Sequence, residues 1–373
     1  MRLRAVLAVT AMVLLAACGD AAGRGVAAAP PGGGAPQAAA RTASQSPTPT
    51  FNMDDMMGFY PQQTVFVADV EKVSAVTLLN HFTRYAIATR GKAQVAADTA
   101  TGTGWLYVLD GFEAAAAGVA GATVRLRSFD LGTGTERASR SDIGAVVWNR
   151  AIATATDGRV LVLKGDARHA WVDAYEPHTL RPLGMLMEKP GCGDRLLASQ
   201  IRLAIVCLAT GEIAVNELHG APTTLLGPLM PGLAGAVMAY EGSIYAVTAD
   251  RRFATAGYGE TSLRPIPWPT AWTGTVLPDG LAIANASAMA VIAQTDTEGS
   301  WLRVMAMRAA APQASQRLAG RLTGEPQFGI MAFYPFAYFT SGGSVRHVEI
   351  DTGMLETMTE LGTGATIAAV VDR

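Results

Sequence analysis

Apolar and polar positions alternate along Val124 to Arg140, VRLRSFDLGTGTERASR, break at a run of turn formers, and resume. Residues two apart share a strand face, so this stretch reads as a strand, a tight turn at Leu131 to Thr135 and a second strand. Weaker copies of the unit recur along most of the chain.

Aligning the turn on Asp130 matches Asn80, Glu176, Glu217, Tyr258, Arg308 and Glu349, at spacings of 50, 46, 41, 41, 50 and 41 residues. A period in the forties, with four short strands per unit, is the mark of a β-propeller. Around Glu176 the four strands are Arg150 to Ala155, Arg159 to Lys164, Trp171 to Tyr175 and Leu180 to Met187. Second strands recur as WLYVLD, RVLVLK, RLAIVCL, SIYAVTA, MAVIAQT and AYFTS. They are almost continuously apolar, as a sheet covered on both faces requires. Ala-rich Glu113 to Val119 reads as an insertion of about one helical turn, being short and flanked by Gly111 and Gly121.

The chain ends complete the count. Gln63 to Val70, Ser74 to Leu79 and Arg84 to Arg90 supply strands two to four of a blade without a first strand, and Thr366 to Asp372 resembles the missing one. The fold class is therefore all-β: a seven-bladed β-propeller of four-stranded antiparallel blades, closed by pairing of the C-terminal strand with N-terminal strands. Such a join removes the free sheet edge.

Half of the 373 residues are hydrophobic and mean hydropathy is +0.23, with 29 basic against 31 acidic residues. No clustered positive face is present, which argues against nucleic acid as a partner. The N-terminus carries a processing signal: Arg2 and Arg4, an apolar core from Ala5 to Leu14, then Leu15-Ala16-Ala17-Cys18. Ala5 to Ala17 is short of the roughly 20 residues that span a bilayer. The ending LAAC resembles the bacterial lipobox, which implies cleavage before a lipidated Cys18; a plain signal peptide with an incidental cysteine is the alternative. The expected organisation is a lipoprotein signal peptide at 1–17, a flexible Ala/Gly/Pro/Ser tether at 18–50 and the propeller domain at 51–373. Gly19 after the cysteine favours the outer membrane in a diderm cell, or the surface of a monoderm one. Met53, Met56 and Met57 offer thioethers to Cu(I), but without a neighbouring His or Cys they read better as an apolar segment docking on the propeller.

Two further cysteines, Cys192 and Cys207, make an even pair in an exported chain, which favours a disulfide over two buried thiols. A hairpin turning at Ser199-Gln200 places them opposite each other, within bridging reach.

With its strand–turn–strand SFDLGTGTE and preceding WLYVLDG, the chain resembles the bacterial YVTN and quinoprotein-like propellers over roughly 310 residues. ADTATGTGW, ending at Trp105, is similar to one copy of the quinone-binding repeat; the other blades lack it, and no cofactor is expected. Ligands on such a fold are expected at the face carrying the four-to-one and two-to-three connections: Ser141 to Asn149, Lys164 to Ala170, Lys189 to Asp194, Asp250 to Arg252 and Pro265 to Gly280. In the last, Trp268 and Trp272 form either a stacking platform for a glycan or peptide, or packing over the ring. Trp148, Arg150 and Arg195, near first strands, are candidates to face the channel, where an arginine clamps an anion or satisfies loop carbonyls. The five histidines have no carboxylate or cysteine at metal-ligand spacing, so no metal site is expected. No G-x-S-x-G, H-E-x-x-H or Walker motif occurs, and no catalytic residue is assigned. The expected function is a monomeric, lipid-anchored extracytoplasmic scaffold that binds an envelope protein, peptide or glycan without catalysis of its own. The alternatives are a quinoprotein-like oxidoreductase or hydrolase, and an envelope assembly factor.

Overall fold

In a computed structural model of the chain, the organising stretch forms two strands, Arg125–Asp130 and Glu136–Ser141, and its turn shows why the residues between them recur. The structure describes residues 63–77, 81–98, 104–112, 115, 123–141, 143–144, 150–165, 168–218, 222–284, 289–307, 314–317, 331–333, 336–341, 343–350, 352–360 and 366–371. The Asp130 carboxylate accepts from the amides of Gly132 and Thr133 at 3.0 and 2.9 Å, and the Gly134 amide donates to the Asp130 carbonyl at 2.8 Å. Gly134 adopts φ 69°, and a Cβ there would overlap the ring of Tyr85. Tyr85 in turn donates its hydroxyl to the Leu131 carbonyl at 2.6 Å, pinning the first blade to the second. The same i+4 amide-to-carbonyl bond closes the turns at Glu176 (from Leu180, 2.9 Å) and Glu349 (from Gly353, 2.8 Å). The repeat is thus physical as well as statistical.

All 28 elements among the described residues are strands, in seven four-stranded antiparallel sheets. Their innermost strands are Thr366–Val371, Gln94–Asp98, Ile152–Thr154, Arg195–Ala198, Leu233–Met238, Thr275–Ala284 and Met331–Phe333. Each touches the next, and Met331–Phe333 touches Thr366–Val371, so the circle closes. In the first blade Thr366–Val371 pairs with Thr64–Ala68, with Val65 opposite Val370 and Phe66 opposite Ala369. The head of the domain borrows its inner strand from the tail.

Burial follows radius. Second strands such as Thr64–Ala68 and Arg202–Cys207 are buried throughout, while the outer strands Thr83–Ala88 and Glu136–Ser141 are largely exposed. Charged side chains on those outer strands, Arg84, Glu136, Arg137 and Arg140 among them, blunt edges that would otherwise template another strand. The core lies between blades rather than in one centre. Phe66, Val73, Val95, Leu106, Phe129 and Ala369 bind the first blade to the second, and Val65, Val67, Phe336, Tyr338 and Ile367 bind it to the seventh. Each Val, Leu, Ile or Phe among them contributes roughly 1.5–3 kcal/mol on burial.

Two boundaries differ from the sequence reading. The hairpin before Cys207 turns at Gln200-Ile201, since Arg195 faces Val206 and Ala198 faces Leu203. The Ser199 hydroxyl accepts from the amides of Ile201 and Arg202, holding a turn one residue later than Ser199-Gln200. The connection from Pro265 also ends early, at Gly274, because Thr275 to Gly280 already belong to an inner strand. Cys18, Met53, Met56, Met57, Asn80, Trp148, His219 and Arg308 lie outside the described residues; of the insertion only Ala115 is described, its amide donating to the Gly111 carbonyl at 3.2 Å.

Candidate functional site

The site that best repays construction from its residues lies where inner strands of several blades meet, around Arg150 and Arg195. Arg150 immediately precedes the third blade's inner strand. Its backbone is held from both sides: the Ala151 amide donates to the Gln94 side chain of the second blade, and the Arg150 carbonyl accepts from the Leu196 amide of the fourth at 3.0 Å. Arg150 sits at φ 45°, a left-handed conformation costing a non-glycine residue roughly 1–2 kcal/mol. Burial lowers its proton affinity, and its guanidinium makes no hydrogen bond or ion pair with the described residues.

Arg195 opens the fourth blade's inner strand and is 1% exposed. Its Nη1 donates to the Ala236 carbonyl of the fifth blade at 3.4 Å, and its Nη2 pairs with Asp279 of the sixth. Burial and then the Arg150 charge press Arg195 well below the ordinary arginine range, against the pull of Asp194. One side chain therefore ties three blades together while standing beside a second cation.

Asp279 reaches Arg195 through a defect in the ladder. Val276 faces Gln294 and Leu281 faces Ile292, so Leu277-Pro278-Asp279-Gly280 bulges out opposite Ala293. Asp279 takes φ 56°, tolerable for an Asp. P-D-G is turn chemistry, and it was legible; that the turn would interrupt a strand was not.

The disulfide steadies the chain entering Arg195. Cys192 and Cys207 have a Cα–Cα separation of 5.6 Å. Asp194, rather than Cys192, continues the pairing register opposite Cys207, and its carboxylate accepts from the Leu208 amide at 2.7 Å. Between them Gly193 passes so close to Ala170 and Ile205 that a Cβ would lie 2.6 Å from one and 2.7 Å from the other. Only glycine lets the chain bend there and bring Cys192 back to its partner. Lys189 completes the clamp, donating to the Cys192 carbonyl at 2.8 Å and pairing with Glu212 at 2.7 Å.

Trp268 and Trp272 come together as neighbours in a seam. Trp272 is 4% exposed and Trp268 is half-buried; their rings meet edge to face at 5.8 Å, and Trp268 Nε1 donates to the Trp272 carbonyl at 3.1 Å. The Arg303 guanidinium covers the Trp272 ring at 5.3 Å. The indoles thus pack on each other and on the fifth and sixth blades, with Trp268 left half-exposed. Trp105 begins its strand and meets the His178 ring edge-on at 4.9 Å.

Among the described residues two trios of metal-capable side chains converge: Cys192, Asp194 and Cys207, whose sulfurs are occupied by the disulfide, and His81, His347 and Glu356, which no local spacing signals. The second is assembled from the first and last blades, so ring closure was its only available signal.

No family profile and no curated protein sequence matches the chain. Solved structures do. A "putative 6-phosphogluconolactonase" from Bacteroides fragilis superposes with TM-score 0.59 at 10% identity, covering 83% of this chain and 98% of that one. Its counterpart from Bacteroides uniformis gives 0.58 at 11%, covering 83% and 99%. Kuenenia stuttgartiensis hydrazine synthase gives 0.56 at 11%, covering 76% and 90%. At such identities the likeness is one of fold, and it agrees with the seven-bladed ring.

Proposed function

We propose that the chain is an extracytoplasmic binding propeller, held to the bacterial membrane by lipidated Cys18 and receiving an anionic group of its ligand or partner at Arg150. The observation that carries the reading is Arg150 itself: half-buried, with its backbone held at φ 45° and its guanidinium without a partner among the described residues, next to a second arginine already engaged. A desolvated cation is costly unless paired. A guanidinium presents two parallel donors that match a carboxylate or phosphate. The YVTN- and quinoprotein-like resemblance and the LAAC ending support a secreted scaffold of this kind, docking an acidic envelope peptide or glycan.

A hydrolase acting on an anionic substrate at the same guanidinium is the second reading, favoured by the two lactonase-titled neighbours. It predicts turnover of phosphorylated lactones by purified protein.

Binding of poly-glutamate and of polygalacturonate, titrated at low and at moderate salt, tests the proposal. At least one is expected to bind, with affinity falling at least tenfold in Arg150→Met and falling also with salt. Equal affinity in wild type and Arg150→Met overturns it. Separately, Cys18→Ser is expected to move the protein from the detergent phase to the aqueous phase.

A further inference from the structure

Outside the arginine group, the described residues bring two imidazoles and a carboxylate together where the ring closes. His347 lies on the seventh blade's strand Ser344–Glu349, directly opposite Glu356 on the outer strand Leu355–Glu360. His81 comes from the first blade, on the turn that Thr77 and Phe82 close with a 3.0 Å backbone bond. Its ring meets that of His347 edge-on, centroids 6.1 Å apart. Phe336, at 5.0 Å, and Tyr338, at 6.1 Å, fix the His347 ring from inside.

His347 is poorly satisfied by its surroundings. It is 3% exposed, its Nδ1 has no hydrogen-bond partner, and its Nε2 stands 3.4 Å from a Glu356 oxygen. That gap exceeds the roughly 2.7–2.9 Å of a charge-assisted hydrogen bond. It does match the spacing of two ligands that each sit about 2.0–2.1 Å from a tetrahedral zinc ion, which stand roughly 3.3–3.4 Å apart. All three donor atoms fall within 4.8 Å of one another, and the remaining closure falls on half-buried His81. The Glu356 side chain is 45% exposed, leaving a route for an ion to enter.

We propose that His81, His347 and Glu356 form a binding site for one zinc-class divalent cation at the seam between the first and seventh blades. Two imidazoles and one carboxylate leave a fourth position for water or for a donor from a partner, and they select zinc, copper(II) or nickel over calcium and magnesium. Bound there, the ion clips the first blade to the last, beside the borrowed strand that closes the ring. Binding to the folded ring alone adds stability in proportion to the logarithm of ion concentration.

The test is calorimetric titration of chelator-treated, full-length protein with zinc chloride, with thermal unfolding measured in parallel. One ion per chain is expected, with a raised unfolding temperature and no response to calcium or magnesium. His81→Ala and Glu356→Gln should each weaken binding at least tenfold, and the exposed His178→Ala should leave it unchanged. X-ray absorption of the zinc form should report two imidazole ligands. Because His81 and Glu356 are not core residues, both variants are expected to fold, and circular dichroism checks this. Absence of zinc binding, or binding that survives His81→Ala and Glu356→Gln undiminished, overturns the site.

Discussion

Two groups of arginines in this ring, each with one buried and one half-buried member, have opposite fates. In the second blade, Asp110 is fully buried and takes both Arg125, through bonds of 3.0 and 2.9 Å, and Arg127, at 2.7 Å. Arg127 also donates to the Ala88 carbonyl at 2.8 Å and lies over the Phe129 ring. Around Arg150 and Arg195, by contrast, the only ion pair formed with the described residues is Arg195 to Asp279, and the neighbouring charge is of like sign. The first group holds two sheet strands in register and joins blade to blade, and both of its guanidiniums are paired with a carboxylate. In the second, Arg150 has no ion-pair partner among the described residues, while Asp194 and Asp279 both act on Arg195. An unpaired guanidinium of that kind is what the proposed anionic ligand would meet.

Breaking the first group gives the largest expected effect. Asp110→Ala strands two guanidiniums, and chemical denaturation should show a loss of about 3–5 kcal/mol. Next comes the support of the second group: replacing both Cys192 and Cys207 by Ala should cost up to about 3 kcal/mol, given a loop of some 15 residues. It should also weaken any ligand that depends on Arg150. The third change reverses sign. Arg150→Leu should leave stability unchanged or raise it by about 1 kcal/mol, because burying an apolar chain in place of an unpaired cation removes a desolvation cost. A loss as large as that of Asp110→Ala would erase the contrast.

Smallest is a pH effect at the clamp behind Arg195. The hydrogen bond from Lys189 lowers the Glu212 carboxyl below the usual 4.5. The stabilisation from a depressed carboxyl is present above its unfolded value and is lost as pH falls through the folded one. The difference in stability between wild type and Glu212→Gln, no more than about 1 kcal/mol near neutrality, should vanish on acidification below that range.

The ring was legible because its grammar is local. Alternation in RLRSFD, the turn chemistry of DLGTG and the apolar run WLYVLD each fix a strand from within a few residues, and seven repetitions leave little freedom in assembly. Closure by Thr366–Val371 was legible for the same reason, as a strand-like run without a sheet beside a sheet without a strand. Misplacing the turn at Ser199-Gln200 traces to Ile201, an apolar side chain at a turn tip, where it packs near Gly242 of the next blade. What stayed hidden is non-local. Arg195 meets Asp279 past an intervening blade, through a bulge, and His81 meets His347 only because the two ends of the ring coincide. No spacing within the sequence encodes either encounter.

The borrowed inner strand has a bearing on how the protein is made. Synthesis runs from the N-terminus, so Thr64–Ala68 must wait with one ladder edge open until Thr366–Val371 arrives, and six finished sheets cannot become a ring before then. Contacts so distant along the chain form late and slowly. A polypeptide that ends just short of residue 366 therefore lacks the inner strand of its first sheet and leaves the ladder edge of Thr64–Ala68 unpaired.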